Sequence, residues 1–156
     1  MEQKTLKILF FGDITGRQGR NALKSFLASS DLENTFIIAN IENASHGFGL
    51  TKKNYNDLAE AGVNCFTSGN HIWDKKDIYE YIEDATNLIR PINYPLGTPG
   101  RGSQIFEFNG FKIGVINVSD KSRVDKKDLS ALRPCLPVIS PKNNIFKVFC
   151  SISATK

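Results

Sequence analysis

The sequence predicts an α/β layer fold built on a mainly parallel sheet. Three observations carry this. Short apolar runs alternate with amphipathic stretches in the order β-α-β-α-β-α. Each of the three apolar runs leads into a loop rich in Gly, Asn, Asp or Glu, as strand ends do in open α/β sheets. The alternation then closes on two apolar segments flanking Asn109-Gly110, a strong short hairpin signal. The crossovers between parallel strands are expected to be right-handed.

In chain order, Leu6 to Phe11 reads as a continuous apolar strand, buried on both faces. A glycine-punctuated loop, Gly12 to Gly19, follows it. Arg20 to Ala28 reads as a helix with Ala22, Leu23, Phe26 and Leu27 on one side. Phe36 to Ala39 is the second strand and ends in Asn40-Ile-Glu42-Asn43. The loop from Ala44 to Leu50 holds His46, Gly47 and Gly49, and His46 reads there as a surface residue. Thr51 can cap a helix over Lys52 to Ala61, with Gly62 as its stop.

Val63 to Ser68 is the third strand, and Gly69-Asn70-His71 lies at its carboxyl end. Asp74 can cap a third helix over Lys75 to Glu83, with Asp77 completing a variant capping box. Ile78, Tyr81 and Ile82 give that helix its apolar stripe. Arg90 to Gly102 holds three prolines and three glycines and reads as an ordered, irregular loop. Gln104 to Phe108 and Phe111 to Val118 form the hairpin. Beyond Asp120 the pattern decays: Asp128 to Leu132 allows a helical turn or two, Pro134, Pro137 and Pro141 interrupt the chain, and Ile145 to Ile152 allows a strand without an obvious partner.

Composition bounds the classes. With 156 residues and 40% hydrophobic content, the chain can bury one ordinary core. The net charge of +4 is unevenly placed, since residues 121–156 carry eight Lys or Arg and only two Asp or Glu. This divides the chain into a main domain over residues 1–120 and a basic tail over 121–156. Cys65, Cys135 and Cys150 form no CxxC pair, which points to reduced thiols in a cytoplasmic protein. The apolar run at Ile8 to Phe11 is too short for a membrane span, so no membrane association is expected.

The candidate site is the set of polar strand ends: Asp13, then Glu42 and Asn43, then Asn70 and His71. Carboxylate and amide oxygens suit hard or borderline divalent metals, and Glu42 has two oxygens able to bridge a pair. Two metals would clamp a phosphoryl group and activate a water, with His71 placed to protonate the leaving oxygen. Gly69 either lets the backbone approach closely or takes a positive φ. Singly, each residue also has a structural use. Asp13 can cap a helix or close an Asx turn, Glu42 can be a salt-bridged rim carboxylate, Asn43 and Asn70 can serve turns, and His71 can be a satisfied half-buried histidine. Their joint position on successive strand ends, with glycines beside two of them, favours a site.

The motifs together carry a resemblance. Ile8-Leu-Phe-Phe-Gly-Asp-Ile-Thr-Gly16, Ile41-Glu-Asn-Ala44 with Gly47-Phe-Gly-Leu-Thr51, Gly69-Asn-His-Ile-Trp-Asp-Lys-Lys76 and Arg90-Pro-Ile-Asn-Tyr-Pro-Leu-Gly-Thr-Pro-Gly100 occur in this order. They resemble the YmdB-like bacterial metallophosphoesterases of the calcineurin-like superfamily, over about residues 6–118. The resemblance implies a four-layer α/β/β/α sandwich, here as its N-terminal part, with a dinuclear iron or manganese centre. It implies phosphodiester hydrolysis, notably of 2′,3′-cyclic nucleotides. By position, Asp13 resembles the ligand of the first metal, Glu42 the bridging ligand, Asn43 and Asn70 the ligands of the second metal, and His71 the proton donor.

The family pattern continues with a further histidine on a later strand end and a Gly-Thr-His-Thr-His loop. This chain has only His46 and His71. The expectation is therefore a truncated domain with an unrelated tail and a mostly absent second sheet. The uncovered apolar face would favour a homo-oligomer. The expected function is a metal-dependent phosphodiesterase acting on a small phosphodiester or cyclic nucleotide. The alternative is an inactive remnant, or a nucleotide- or partner-binding module, lacking the later histidines. Nucleic-acid binding through the basic tail is disfavoured: it holds no base-reading motif, and little aromatic interleaving beyond Phe146 and Phe149.

Overall fold

The computed structural model describes residues 5–119 and, as backbone, the strand 145–152. Four strands form a parallel sheet in the order β1-β2-β3-β4: Lys7–Phe11, Thr35–Asn40, Cys65–Thr67 and Leu88–Ile89. The crossovers carry helix α1 (Gly16–Ser29), helix α2 (Lys52–Glu60), and a 3₁₀ turn at Asn70–Asp74 followed by the short helix α3 (Ile78–Tyr81). A second sheet of three strands runs β5-β6-β7: Ser103–Phe108, Phe111–Ser119 and Ile145–Ile152.

Two apolar clusters hold the layers together. On one face of the parallel sheet, Ile37, Ala39, Phe66 and Leu88 pack against Leu23 and Leu27 of α1, Leu58 of α2, and Ile78, Tyr81 and Ile82. On the other face, Phe36, Ile38, Cys65 and Ile89 meet Phe111, Ile113 and Val115 of the second sheet. Period-two alternation in β2 produces this division, since odd and even residues face opposite layers. The described residues therefore form helix, sheet and sheet layers, an α/β architecture with a parallel first sheet.

The hairpin forms as expected. Phe108 and Phe111 make the last pair, and Asn109 and Gly110 take φ of 48° and 83°, as a two-residue type I′ turn requires. Thr51 caps α2, its hydroxyl accepting from the Asn54 N–H at 3.4 Å, and Gly62 follows in a left-handed conformation.

Several expectations are corrected. The first strand is not buried on both faces: among the described strands β1 pairs only with β2, and Phe10 stays 46% exposed. Helix α1 begins at Gly16, inside the expected glycine loop. No helix starts at Lys75, and Asp74 is exposed at the end of the 3₁₀ turn. The backbone there follows the site instead, because the His71 N–H is engaged by Glu42 and Ile72 is fully buried. The two-residue strand β4 has no periodicity to reveal it; it is recruited by pairing with Phe66 and Thr67. Ile145–Ile152 does have a partner, running parallel to β6 over its whole length. Among the described residues the second sheet has three strands. The charged stretch from Lys121, the possible turn at Asp128 to Leu132 and the three prolines lie outside the described residues. Among the described residues, no helix is long and apolar enough to cross a membrane.

Candidate functional site

Backbone hydrogen bonds stitch three strand ends into one platform. The Ile14 N–H donates to the Asn40 carbonyl at 2.9 Å, and the Gly16 N–H to the Asn43 carbonyl at 2.9 Å. The Ile41 N–H donates to the Thr67 carbonyl at 3.1 Å. Arg20 of α1 donates to the Ala44 carbonyl, which holds the loop after β2 against the first helix. The residues after β1, β2 and β3 therefore converge at the carboxyl edge of the sheet.

On this platform Asp13, Asn43 and His71 form a hydrogen-bonded chain. Asn43 Nδ2 donates to Asp13 Oδ2 at 2.5 Å, and Asn43 Oδ1 lies 2.6 Å from His71 Nδ1. A carboxylate only accepts, so Asp13 fixes which way the Asn43 amide points. The amide oxygen then faces the imidazole and also only accepts, so Nδ1 carries the proton. Nε2 is left as the nitrogen that can exchange a proton with a substrate.

Glu42 sits behind this chain and is buried. One carboxylate oxygen accepts from the His71 backbone N–H at 3.0 Å. Burial pushes its carboxyl above the ordinary glutamate value, and the nearby Asp13 charge adds to this. The backbone N–H groups of His71 and Gly69 pull in the other direction, as does the His71 charge. Gly69 serves by close approach and not by positive φ: its φ is −131°, and a Cβ there would lie 2.5 Å from Glu42 Oε1 and 2.7 Å from Cδ. Any other residue would displace the carboxylate.

Asn70 opens the 3₁₀ turn beside His71, half-buried, with its side chain outside the hydrogen-bonded chain. His46 is exposed with φ of 59°, as its surface-loop reading anticipates. The motif reading passed over Phe48. Its ring is 59% exposed and meets the His71 imidazole edge-on at 5.4 Å. The signal was the Gly47-Phe48-Gly49 triplet: Gly49 has φ of 73°, and a Cβ there would lie 3.3 Å from the His71 carbonyl oxygen.

The residues present fit a divalent cation. Among the described residues no three His, Cys, Asp or Glu side chains converge, so the donors are two carboxylates together with amide oxygens. Such a set suits hard cations. A cation would also relieve the repulsion between Asp13 and Glu42, and the second lone pair of Asn43 Oδ1 remains available for it.

Comparison with known proteins gives the lineage. The chain is 43% identical over 119 residues to a 2′,3′-cyclic-nucleotide 2′-phosphodiesterase of Bacillus subtilis (strain 168), a match covering 75% of this chain and 45% of that protein. Its fold resembles a solved structure described as a novel phosphatase from Mycoplasma pneumoniae, with TM-score 0.75 and 33% identity, over 97% of this chain and 57% of the other. A hypothetical protein from Thermus thermophilus aligns with TM-score 0.74 and 30% identity, over 93% of this chain and 57% of the other. The chain thus spans about half the length of the relatives it matches. A family model described as YmdB-like protein matches residues 9–145, and the chain belongs to the YmdB-like family.

Proposed function

We propose that this chain is a metal-dependent phosphodiesterase acting on 2′,3′-cyclic nucleotides or related small phosphodiesters. The observation that carries the reading is the Asp13–Asn43–His71 chain laid over the buried Glu42 carboxylate. The name of the Bacillus subtilis relative supports the same reaction class.

In this reading Asp13, Glu42, Asn43 and Asn70 would hold two divalent cations, iron or manganese. Bound there, such cations supply charge stabilisation at the phosphoryl oxygens and an activated water. With its ring protonated at both nitrogens, His71 would give the Nε2 proton to the leaving oxygen and keep the Nδ1 proton on Asn43, a general-acid role worth about 10²–10⁴-fold. Asn43 holds the imidazole in register through Nδ1, and Asp13 holds Asn43. Phe48 meets the imidazole edge-on.

The test is hydrolysis of bis-p-nitrophenyl phosphate by the purified chain with Mn²⁺ or Fe²⁺, beside His71→Ala. The expected result is metal-dependent turnover that falls by about 10²-fold or more in the variant. Equal rates in both chains, or no turnover from folded protein, would overturn the reading. Phosphate binding without turnover would recast the chain as a nucleotide-binding module.

A further inference from the structure

A cavity of about 400 Å³ is lined by Trp73, Tyr79, Tyr94, Pro95, Thr98 and Pro99. Trp73 stands two residues after His71 in the same 3₁₀ turn. Two residues span at most about 7 Å of chain, so the Trp73 backbone lies within about that distance of the His71 backbone. The Trp73 ring stacks on Tyr79 at 5.4 Å and 29°, and meets the edge of Tyr94 at 6.0 Å and 71°. Tyr79 is 56% exposed, so this aromatic surface is open to solvent.

The lining segment Pro95 to Pro99 is held in place by hydrogen bonds. The Arg90 guanidinium donates to the carbonyls of Pro91 at 2.8 Å, Thr98 at 3.0 Å and Pro99 at 3.0 Å. Thr98 closes a turn onto the Pro95 carbonyl through its N–H at 3.1 Å and its hydroxyl at 2.7 Å. The Gly100 N–H is held by Glu83 at 2.9 Å. Prolines and a triply bonded arginine make a stiff wall that loses little freedom when a ligand enters.

The lining decides the ligand class. Among the described residues no charged side chain lines the cavity, so none of them partners a phosphate in it. Three aromatic rings and two prolines suit a flat, neutral ring, and the volume falls within the range of small-ligand pockets. We propose that this cavity binds the base of a nucleotide, with purines preferred for their larger stacking area. The base stacks with the Trp73–Tyr79 rings while the phosphodiester lies at Asp13, Glu42 and His71. Placing the phosphate there rests on the phosphodiesterase reading; the ring site does not.

Trp73 is the only tryptophan in the chain, so its fluorescence and its single indole N–H resonance report on this cavity alone. The experiment titrates the full chain with adenosine in the presence of EDTA, with ribose 5-phosphate as comparator. Saturable quenching and a saturable indole shift by adenosine are expected, with ribose 5-phosphate silent. Tyr79→Ala should weaken the apparent Kd roughly five- to hundred-fold, the range for loss of one stacking ring, and Tyr79→Phe should restore it. A linear, unsaturable response, an unmoved indole resonance, or equal adenosine affinity in Tyr79→Ala would overturn the proposal. Turnover of bis-p-nitrophenyl phosphate together with a silent adenosine titration removes the base site and leaves the phosphodiesterase standing. Saturable adenosine binding without turnover does the reverse.

Discussion

At the scale of single residues, the site depends on one missing side chain and one buried charge. Gly69 has no Cβ because the Glu42 carboxylate occupies that space. Gly69→Ala should destabilise the fold by about 1–3 kcal/mol through overpacking, read as a lower melting temperature. An unchanged melting temperature would mean that the carboxylate is not seated there. Glu42 makes a second, pH-dependent prediction. Its folded carboxyl is raised, chiefly by burial, so its charged form is disfavoured in the fold relative to the unfolded chain. The cost is absent below the ordinary value of 4.5 and present once the pH exceeds the raised folded value. In EDTA, Glu42→Gln should therefore be more stable than the native chain at neutral pH, with the two denaturation midpoints converging in acid. A stability gain that persists in acid would rule out the charge as its cause. The candidate residues themselves were legible in the sequence, because their chemistry is a property of residue type. The orientation of Asn43 was not, because it depends on Asp13, thirty positions away.

At the scale of elements, local signals succeeded where local conformation decides. Asn109-Gly110 needs two left-handed residues, and the chain places the two best-suited types there. Gly110→Ala should cost about 1–2 kcal/mol, because its φ of 83° is unfavourable for a residue with a Cβ. Urea denaturation would show this as a lower midpoint with an unchanged slope. The third helix failed for a related reason. Lys75 to Glu83 has helical periodicity, but Ile72 is anchored in the core and the His71 N–H is bound to Glu42. The chain tightens into a 3₁₀ turn and only Ile78–Tyr81 completes a helix. Tertiary contacts outweigh propensities of roughly a few tenths of a kcal/mol per residue.

For the whole molecule, two sheets share one apolar seam, and Ile113 is fully buried in it beside Phe36 and Ile38. Ile113→Ala should cost about 2–5 kcal/mol and lower the whole transition cooperatively. Near-ultraviolet and far-ultraviolet circular dichroism should still melt together. Separate transitions would show that the second sheet folds on its own. The sequence by itself determined the alternation of strands and helices, the hairpin, the polar strand ends and the family they resemble. Each of these is written in neighbouring residues or in residue type. Only the tertiary structure decided that β1 pairs with β2 alone among the described strands, that Ile145–Ile152 runs beside β6, that Phe48 lies against His71 and that Trp73 meets Tyr94. These are relations between segments far apart in the chain, and they follow from the packing of layers that no local window contains.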